Sequence, residues 1–128
     1  MRLLAGLDVG GTKLAVRAET IGGDRVVNAE YGATEWTAAP AAAAAFWLAG
    51  QLRRHLPPGS EIVALGVGAQ GCNSQEIAAD LRRALESLGL LAAVGNDGAL
   101  LVPAAGLDHG IGIVAGTGSI GIAEDAVL

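Results

Sequence analysis

The sequence predicts an α/β domain, built on a mixed sheet whose first three strands are antiparallel and whose later strands are joined by helical crossovers. Three observations carry this. Apolar stretches of strand length at 3–9, 14–19 and 25–31 are separated only by short glycine turns, too short to hold a helix. Beyond them, helical stretches at 41–55 and after Asn73 alternate with apolar runs at 62–69 and 90–94, which is the rhythm of crossover units. The chain of 128 residues is 52% hydrophobic but only 3% aromatic, so its core must be Ala, Val, Leu and Ile packed closely through small side chains.

The elements follow in order. Leu3 to Leu7 leads into Asp8, then Gly10-Gly11-Thr12-Lys13, then Leu14 to Val16: strand, glycine turn, strand, with an acid at the mouth of the hairpin. Arg25 to Tyr31 alternates as a third strand, reached through Gly22-Gly23-Asp24. Residues 41–55 are alanine-rich, carry Phe46, Trp47, Leu48 and Leu52, and stop at Pro57-Pro58-Gly59, so they form a helix whose alanine run is a closely packed face. Ile62 to Ala69 is a buried strand. Asn73 caps the next helix, with Glu76 three residues on as its capping-box partner. Ile77, Leu81, Leu85 and Leu88 keep an apolar stripe, and Gly89 ends the helix. Leu90 to Val94 is a short strand. Asn96 or Asp97 caps a last helix running towards Ala105, kinked or shortened by Pro103.

The chemistry concentrates in the glycine turns. Gly10 and Gly11 can take positive φ and let a phosphate approach the backbone, Thr12 adds a hydroxyl, and successive turn N–H groups can form an anion nest. Asp8 could hold a metal ion that offsets phosphate charge. Lys13 is either a phosphate contact or an exposed strand residue. A near copy recurs at Gly112 to Ile122: with Gly11-Thr12 set against Gly118-Ser119, the flanking strands fall into register. Two glycine–hydroxyl hairpins, the second through Gly116, Thr117, Gly118 and Ser119, can hold a polyphosphate between them. Asp97 follows a buried strand, at the carboxyl end where open α/β sheets bind ligands, and it reads either as a base or as a helix cap.

Composition and spacing exclude several classes. The net charge of −5 argues against nucleic-acid and anionic-membrane partners, and the pairs Arg53-Arg54 and Arg82-Arg83 read as solvated helix ends. The single cysteine, Cys72, excludes an internal disulfide or a cysteine-built cluster within one chain, and His55 and His109 lack metal-ligand spacing. The apolar run before Asp8 is too short for a secretory signal and no run spans a bilayer, so a cytoplasmic location is expected. A Walker-type phosphate loop is absent. Gly66-Val67-Gly68-Ala69-Gln70-Gly71 fits G-x-G-x-x-G, but it follows three strands and a helix, so a glycine-rich strand end is favoured over a dinucleotide turn.

Asp8-Val9-Gly10-Gly11-Thr12 resembles the first phosphate motif of the superfamily of sugar kinases, actin and heat-shock ATPases. Ala115-Gly116-Thr117-Gly118-Ser119 is similar to the second phosphate motif of its branch of N-acetylglucosamine kinases and BadF/BadG ATPases. Gly95-Asn96-Asp97-Gly98 resembles the segment where that branch's sugar kinases carry the catalytic aspartate. The three motifs cover nearly the whole chain.

The resemblance implies a ribonuclease-H-like, actin-like ATPase lobe over 1–110, with 111–128 as the opening strands of a second lobe. It implies ATP and Mg²⁺ as cofactors, with Asp97 as the base, Asp8 as the Mg²⁺ residue acting through water, and phosphate contacts from Gly10, Gly11, Thr12, Lys13 and Gly116 to Ser119. The acceptor would be N-acetylglucosamine or glucosamine, bound by Thr34 (in place of the branch's asparagine), Trp36, Gln70, Gly71 and Asn96. Trp36 either stacks on a pyranose or packs on the domain. The resembled kinases are much longer and have a second domain, so this chain alone is expected to turn over ATP poorly, and its final strand pair to join another chain in a homodimer. The alternatives are a BadF/BadG-type ATPase activating a partner enzyme, disfavoured by the lone Cys72, and a non-catalytic nucleotide-sensing module.

Overall fold

A computed structural model describes residues 1–96. The elements are β1 (Arg2–Val9), β2 (Lys13–Thr20), β3 (Arg25–Gly32), α1 (Ala41–His55), β4 (Glu61–Ala69), α2 (Gln75–Ser87) and β5 (Ala92–Gly95). They form one mixed sheet in the order β3-β2-β1-β4-β5. β1–β2 and β2–β3 are antiparallel, whereas β4 joins β1, and β5 joins β4, in parallel. The expected helix beyond Asn96, the hairpin at 112–122 and the division at 110 lie outside the described residues, as do Asp97 and Gly116, Thr117, Gly118 and Ser119.

Alternation along the strands sorts the sheet into two faces. Leu3, Ala5, Leu7 and Val9 of β1 share a face with Leu14, Val16 and Ala18 of β2, with Leu65, Val67 and Ala69 of β4, and with Ala92 and Val94 of β5. All belong to one core cluster with Ala44, Ala45, Leu48 and Leu52 of α1 and Leu81 and Leu85 of α2. A one-residue slip of any central strand would turn this set out of the core. On the opposite face, small residues dominate around Asp8, and Leu4 and Ala64 are also buried there.

Local signals explain the helix limits. α1 starts after Pro40 with no side-chain cap, and Leu56 N–H closes its last turn on the Leu52 carbonyl before Pro57 and Pro58 stop it. Of the alanine run, only Ala44 and Ala45 turn into the core. α2 is capped by Ser74 rather than by Asn73: the Ser74 hydroxyl accepts from Ile77 N–H at 3.1 Å. The expected spacing is thus displaced by one residue, because Gly71 and Cys72 form the turn and leave Asn73 exposed before the first helical residue. At the other end Gly89 N–H reaches the Glu86 carbonyl and Leu90 N–H the Leu85 carbonyl, with Gly89 at φ +87, a Schellman stop. That closure consumes Leu90, and Leu91 is exposed, so β5 starts at Ala92 rather than at Leu90. On α2, Arg82 pairs with Glu86 and Arg83 with Asp80, so this basic pair is internally balanced.

The edge strand is tied to α1 by a ring stack. Tyr31 and His55 lie 3.6 Å apart at 16°, and His55 Nε2 meets Gln51 Oε1 at 3.2 Å. Desolvation, with the charge of Arg54 second, holds the imidazole below its ordinary pKa of 6.5. The unfolded chain therefore takes up the proton more readily. The stability this site supplies is full above the ordinary value and falls as pH drops through the window beneath it.

Two outcomes are expected. Thermal melts of the wild type should show a lower midpoint at about pH 5.5 than at about pH 7.5, and His55→Gln should narrow that gap. Ser74→Ala should cost about 1 kcal/mol in urea titration while Asn73→Ala stays near wild type, since only Ser74 satisfies a helix N–H.

Candidate phosphate site at the carboxyl ends of the central strands

The register of the sheet sets the site. Asp8 stands opposite Ala15 on β2 and Gly68 on β4, and Gly68 stands opposite Gly95 on β5. In this row across four strands only Asp8 carries a side chain larger than a methyl group. The row lies on the face away from α1 and α2, at the carboxyl ends of the parallel strands. Asp8 is half-buried and has an interaction partner. Directly beyond it the chain turns through Gly10, Gly11 and Thr12, and beyond Gly95 comes the exposed Asn96.

The glycine turn departs from expectation in one respect. The positive-φ glycines among the described residues are Gly23, Gly59, Gly71 and Gly89, so neither Gly10 nor Gly11 adopts a positive φ. The loop is a bend closed by Gly10 N–H donating to the Lys13 carbonyl at 2.8 Å, and residues with negative φ can make it. Among the described residues a Cβ at Gly10 would meet the Lys13 carbonyl oxygen alone, at an ordinary 3.7 Å. A Cβ at Gly11 would meet the Gln70 carboxamide oxygen at 3.0 Å, the end of a flexible side chain. Among the described residues neither a positive φ nor packing against main chain requires these glycines, whereas close approach of a ligand would.

Three loops converge here. Gln70 N–H continues the β1–β4 ladder by donating to the Val9 carbonyl at 2.8 Å. The Trp36 indole Nε1–H donates to the Gln70 carbonyl at 2.8 Å, and Ala33 N–H donates to the Thr12 carbonyl at 3.0 Å. The 33–38 loop is thus fastened to the glycine turn at one end and to the β4–α2 turn at the other. Trp36 also packs on Trp47 of α1, with centroids 5.4 Å apart at 52°. Between the two readings of Trp36, packing on the domain is what the structure displays. Gly71 sits at φ +95 with Ala38 Cβ 3.0 Å from where its own Cβ would be. Sequence reasoning missed Gln70 beside Gly11, for which no local signal exists, and chose Asn73 over the adjacent Ser74, although both residue types are good caps.

The remaining candidates are placed as follows. Lys13 is exposed at the start of β2, opposite Gly32, and shares a small surface recess with Thr12, Glu30 and Tyr31. Thr34 is exposed after β3. Asn96 lines a cleft of about 380 Å³ with Asn73, Ser74, Gln75 and Arg82, between β5 and the first turns of α2. Thr34, Trp36, Gln70 and Gly71 do not line that cleft, so the expected sugar residues divide between two places. Gly66 and Gly68 lie inside β4, paired with Gly6 and Asp8, so the G-x-G-x-x-G spacing forms no dinucleotide turn. Cys72 is buried, and burial pushes its thiol pKa up, the reverse of an activated thiolate. Among the described residues no group of three or more His, Cys, Asp or Glu could hold a metal ion by itself, and no helix is long and apolar enough to cross a membrane.

No family model and no curated protein matches the sequence. Solved structures do match by shape. A ROK family glucokinase from Streptomyces griseus, solved with glucose and AMPPNP, superposes with a TM-score of 0.50 at 17% identity, over 73% of this chain and 33% of its own. The ethanolamine utilization protein EutJ from Carboxydothermus hydrogenoformans gives 0.47 at 17% identity, over 81% and 39%. A putative sugar kinase from Cytophaga hutchinsonii gives 0.42 at 17% identity, over 73% and 36%. The chain thus spans about a third of the length of these proteins. The likeness to the glucokinase, with the five-stranded mixed sheet and its antiparallel first three strands, shows the fold: an actin-like ATPase, ribonuclease-H-like α/β lobe.

The Gly71 geometry has a direct consequence for stability. Gly71→Ala should cost about 1–3 kcal/mol in denaturant titration, because the new Cβ meets both an unfavourable φ and Ala38. Gly10→Ala, with room and no positive φ, should stay within about 1 kcal/mol of wild type.

Proposed function

We propose that this chain is the phosphate-binding lobe of an ATP-dependent amino-sugar kinase, which transfers the γ-phosphoryl group to a hydroxyl of N-acetylglucosamine or glucosamine. The observation that carries the reading is the row Asp8–Gly68–Gly95: one carboxylate on a floor of glycines, with a glycine turn directly beyond it. Supporting it, among the described residues neither glycine of that turn has a positive φ, and a Cβ there would press on no main chain, only on the mobile end of Gln70 at Gly11. The glucokinase that shares the fold is described with glucose and AMPPNP bound, an acceptor sugar and an ATP analogue.

Each residue then has a task. Phosphoryl transfer depends on positioning and on neutralising charge more than on covalent chemistry. With Gly10 N–H committed to the Lys13 carbonyl, the bend would offer the Gly11 and Thr12 N–H groups and the Thr12 hydroxyl to the phosphates, and Lys13 adds a positive charge at its rim. Mg²⁺ fits this donor set as a guest of the nucleotide, since such an ion keeps several waters and takes one or two carboxylates together with phosphate oxygens. Asp8 is the residue that would hold it, and the ion would supply charge compensation at the phosphates. Asp97 follows Asn96, which stands at the carboxyl end of β5, and is proposed as the base that accepts the acceptor hydroxyl proton. Thr34 and Asn96 are proposed on the sugar side, and Gly116 to Ser119 as the second phosphate hairpin. The partners are then the sugar and ATP, in the cytoplasm, with a homodimer as the proposed assembly.

The test is ADP release by the protein as its gene encodes it, against N-acetylglucosamine, glucosamine, glucose and no sugar. ADP should appear only with an amino sugar, and both Asp8→Asn and Asp97→Asn should lower the rate by about 100-fold or more while the melting midpoint holds. Sugar-independent ADP release, or none from any sample, would overturn the kinase reading. The 128-residue chain by itself is expected to release little ADP, given that it spans about a third of the glucokinase.

A further inference from the structure

The β4–α2 turn carries one group whose task the fold does not explain. Gln70 is exposed, yet its backbone is pinned at both ends, with its N–H on the Val9 carbonyl and its carbonyl under the Trp36 indole N–H. Those two bonds, each 2.8 Å, fix where the side chain starts. It extends over the glycine turn, and its carboxamide oxygen lies 3.0 Å from where a Gly11 Cβ would be, with the amide nitrogen at 3.9 Å. Among the described residues no side-chain or main-chain group hydrogen-bonds this carboxamide, although the turn beneath it is rich in polar atoms. Among the described residues packing offers no reason for the arrangement either, since the contact is with a residue that has no side chain.

We propose that Gln70 is a phosphate-contacting residue of the glycine turn, and that Trp36 is a positioning residue that aims it. This rests on the phosphate reading of Gly10 to Thr12 given above and moves Gln70 from the acceptor side to the phosphate side. A carboxamide presents two N–H donors and an acceptor, and half a turn about its terminal bond exchanges them. With the amide nitrogen turned towards Gly11, Gln70 closes the bend from above while the main-chain N–H groups line it from below. An anion in the bend then meets donors from two loops. The Trp36 N–H contributes through the Gln70 carbonyl alone: it fixes the turn in place and does not touch the anion. The same indole is part of the 33–38 loop, which is also tied to the Thr12 carbonyl through Ala33, so the glycine turn and the Gln70 turn are clamped by one segment.

The substrate class follows from the geometry. A neutral donor over a main-chain nest favours ligands in proportion to the negative charge in the bend, so a triphosphate should gain most, a diphosphate less and a monophosphate least. Glutamate at position 70 keeps the shape of the side chain and replaces its donor by a charge of the wrong sign.

The experiment is isothermal titration calorimetry of the 128-residue chain with Mg·ATP, Mg·ADP, AMP and inorganic tripolyphosphate. It compares wild type, Gln70→Ala, Gln70→Glu and Trp36→Phe, each with a melting curve. Gln70→Ala should weaken Mg·ATP and tripolyphosphate about tenfold, as expected for one lost hydrogen bond to a charged group, and Gln70→Glu should weaken them further. AMP should change by less than about twofold in both. Trp36→Phe keeps the ring and loses the N–H, and should weaken tripolyphosphate about threefold. A loss that grows with ligand charge supports the assignment, because a merely structural role would shift all ligands alike or lower the melting midpoint. Wild-type binding of Mg·ATP with Gln70→Glu unchanged would overturn this inference and leave the phosphate reading standing. Absence of any polyphosphate binding by wild type would overturn the phosphate reading itself, and the inference with it.

Discussion

The parallel pairing of β1 with β4 is the constraint from which the rest of the structure follows. β1 is the central strand, hydrogen-bonded to β2 on one side and to β4 on the other, and its register against both is fixed by the alternation of Leu3, Ala5, Leu7 and Val9 into the core. Because the side-chain period is two residues, the set that buries those four must turn Asp8 to the other face. The same pairing brings Gly68 beside Asp8, and β5 extends the row to Gly95. Hydrophobic burial on one face thereby places a carboxylate on the other.

The loops above that row are held by polar bonds that neutralise otherwise orphaned main-chain groups. The Gln70 carbonyl, at the point where β4 leaves the sheet, would lack a ladder partner, and the Trp36 indole supplies one. Ala33 N–H and the Thr12 carbonyl satisfy each other across the mouth of the first hairpin. Gly71 then allows the chain to reverse in the small space left by Ala38. Each tie is modest alone. Together they hold the glycine turn, the 33–38 loop and the β4–α2 turn as a unit, the kind of fixed frame that binding a charged ligand needs, since donors already in position need not be reorganised.

The helices serve this frame from the far side. α1 and α2 both pack on the core face, which leaves the face bearing Asp8 to small residues. The Tyr31–His55 stack ties the outer strand β3, which borders the hairpin that carries the glycine turn, to α1. His55 stays neutral more readily there than in the unfolded chain, so this anchor weakens as pH falls below the ordinary histidine value.

The sequence by itself determined the order and type of the elements. Strand-length apolar runs with period two, an alanine-rich run ended by Pro57 and Pro58, and Gly89 as a helix stop are local signals, and local physics decides them. It also determined that Asp8 precedes a glycine bend, because that is a matter of adjacency. Where a choice depended on one residue of backbone geometry, the sequence was ambiguous: Asn73 and Ser74 are both good caps, and the Gly71-Cys72 turn selected Ser74. Likewise Gly66, Gly68 and Gly71 have the spacing of a turn motif, but pairing with β1 kept the first two inside a strand. Only the tertiary structure decided that Gln70, far from Gly11 along the chain, lies over it, that Trp36 holds the Gln70 carbonyl, and that Asn96 opens on a cleft that neither Thr34 nor Trp36 lines. Those contacts arise from the register of β1 against β4 and from where the loops cross above it, and no local pattern in a sequence encodes a distance between loops.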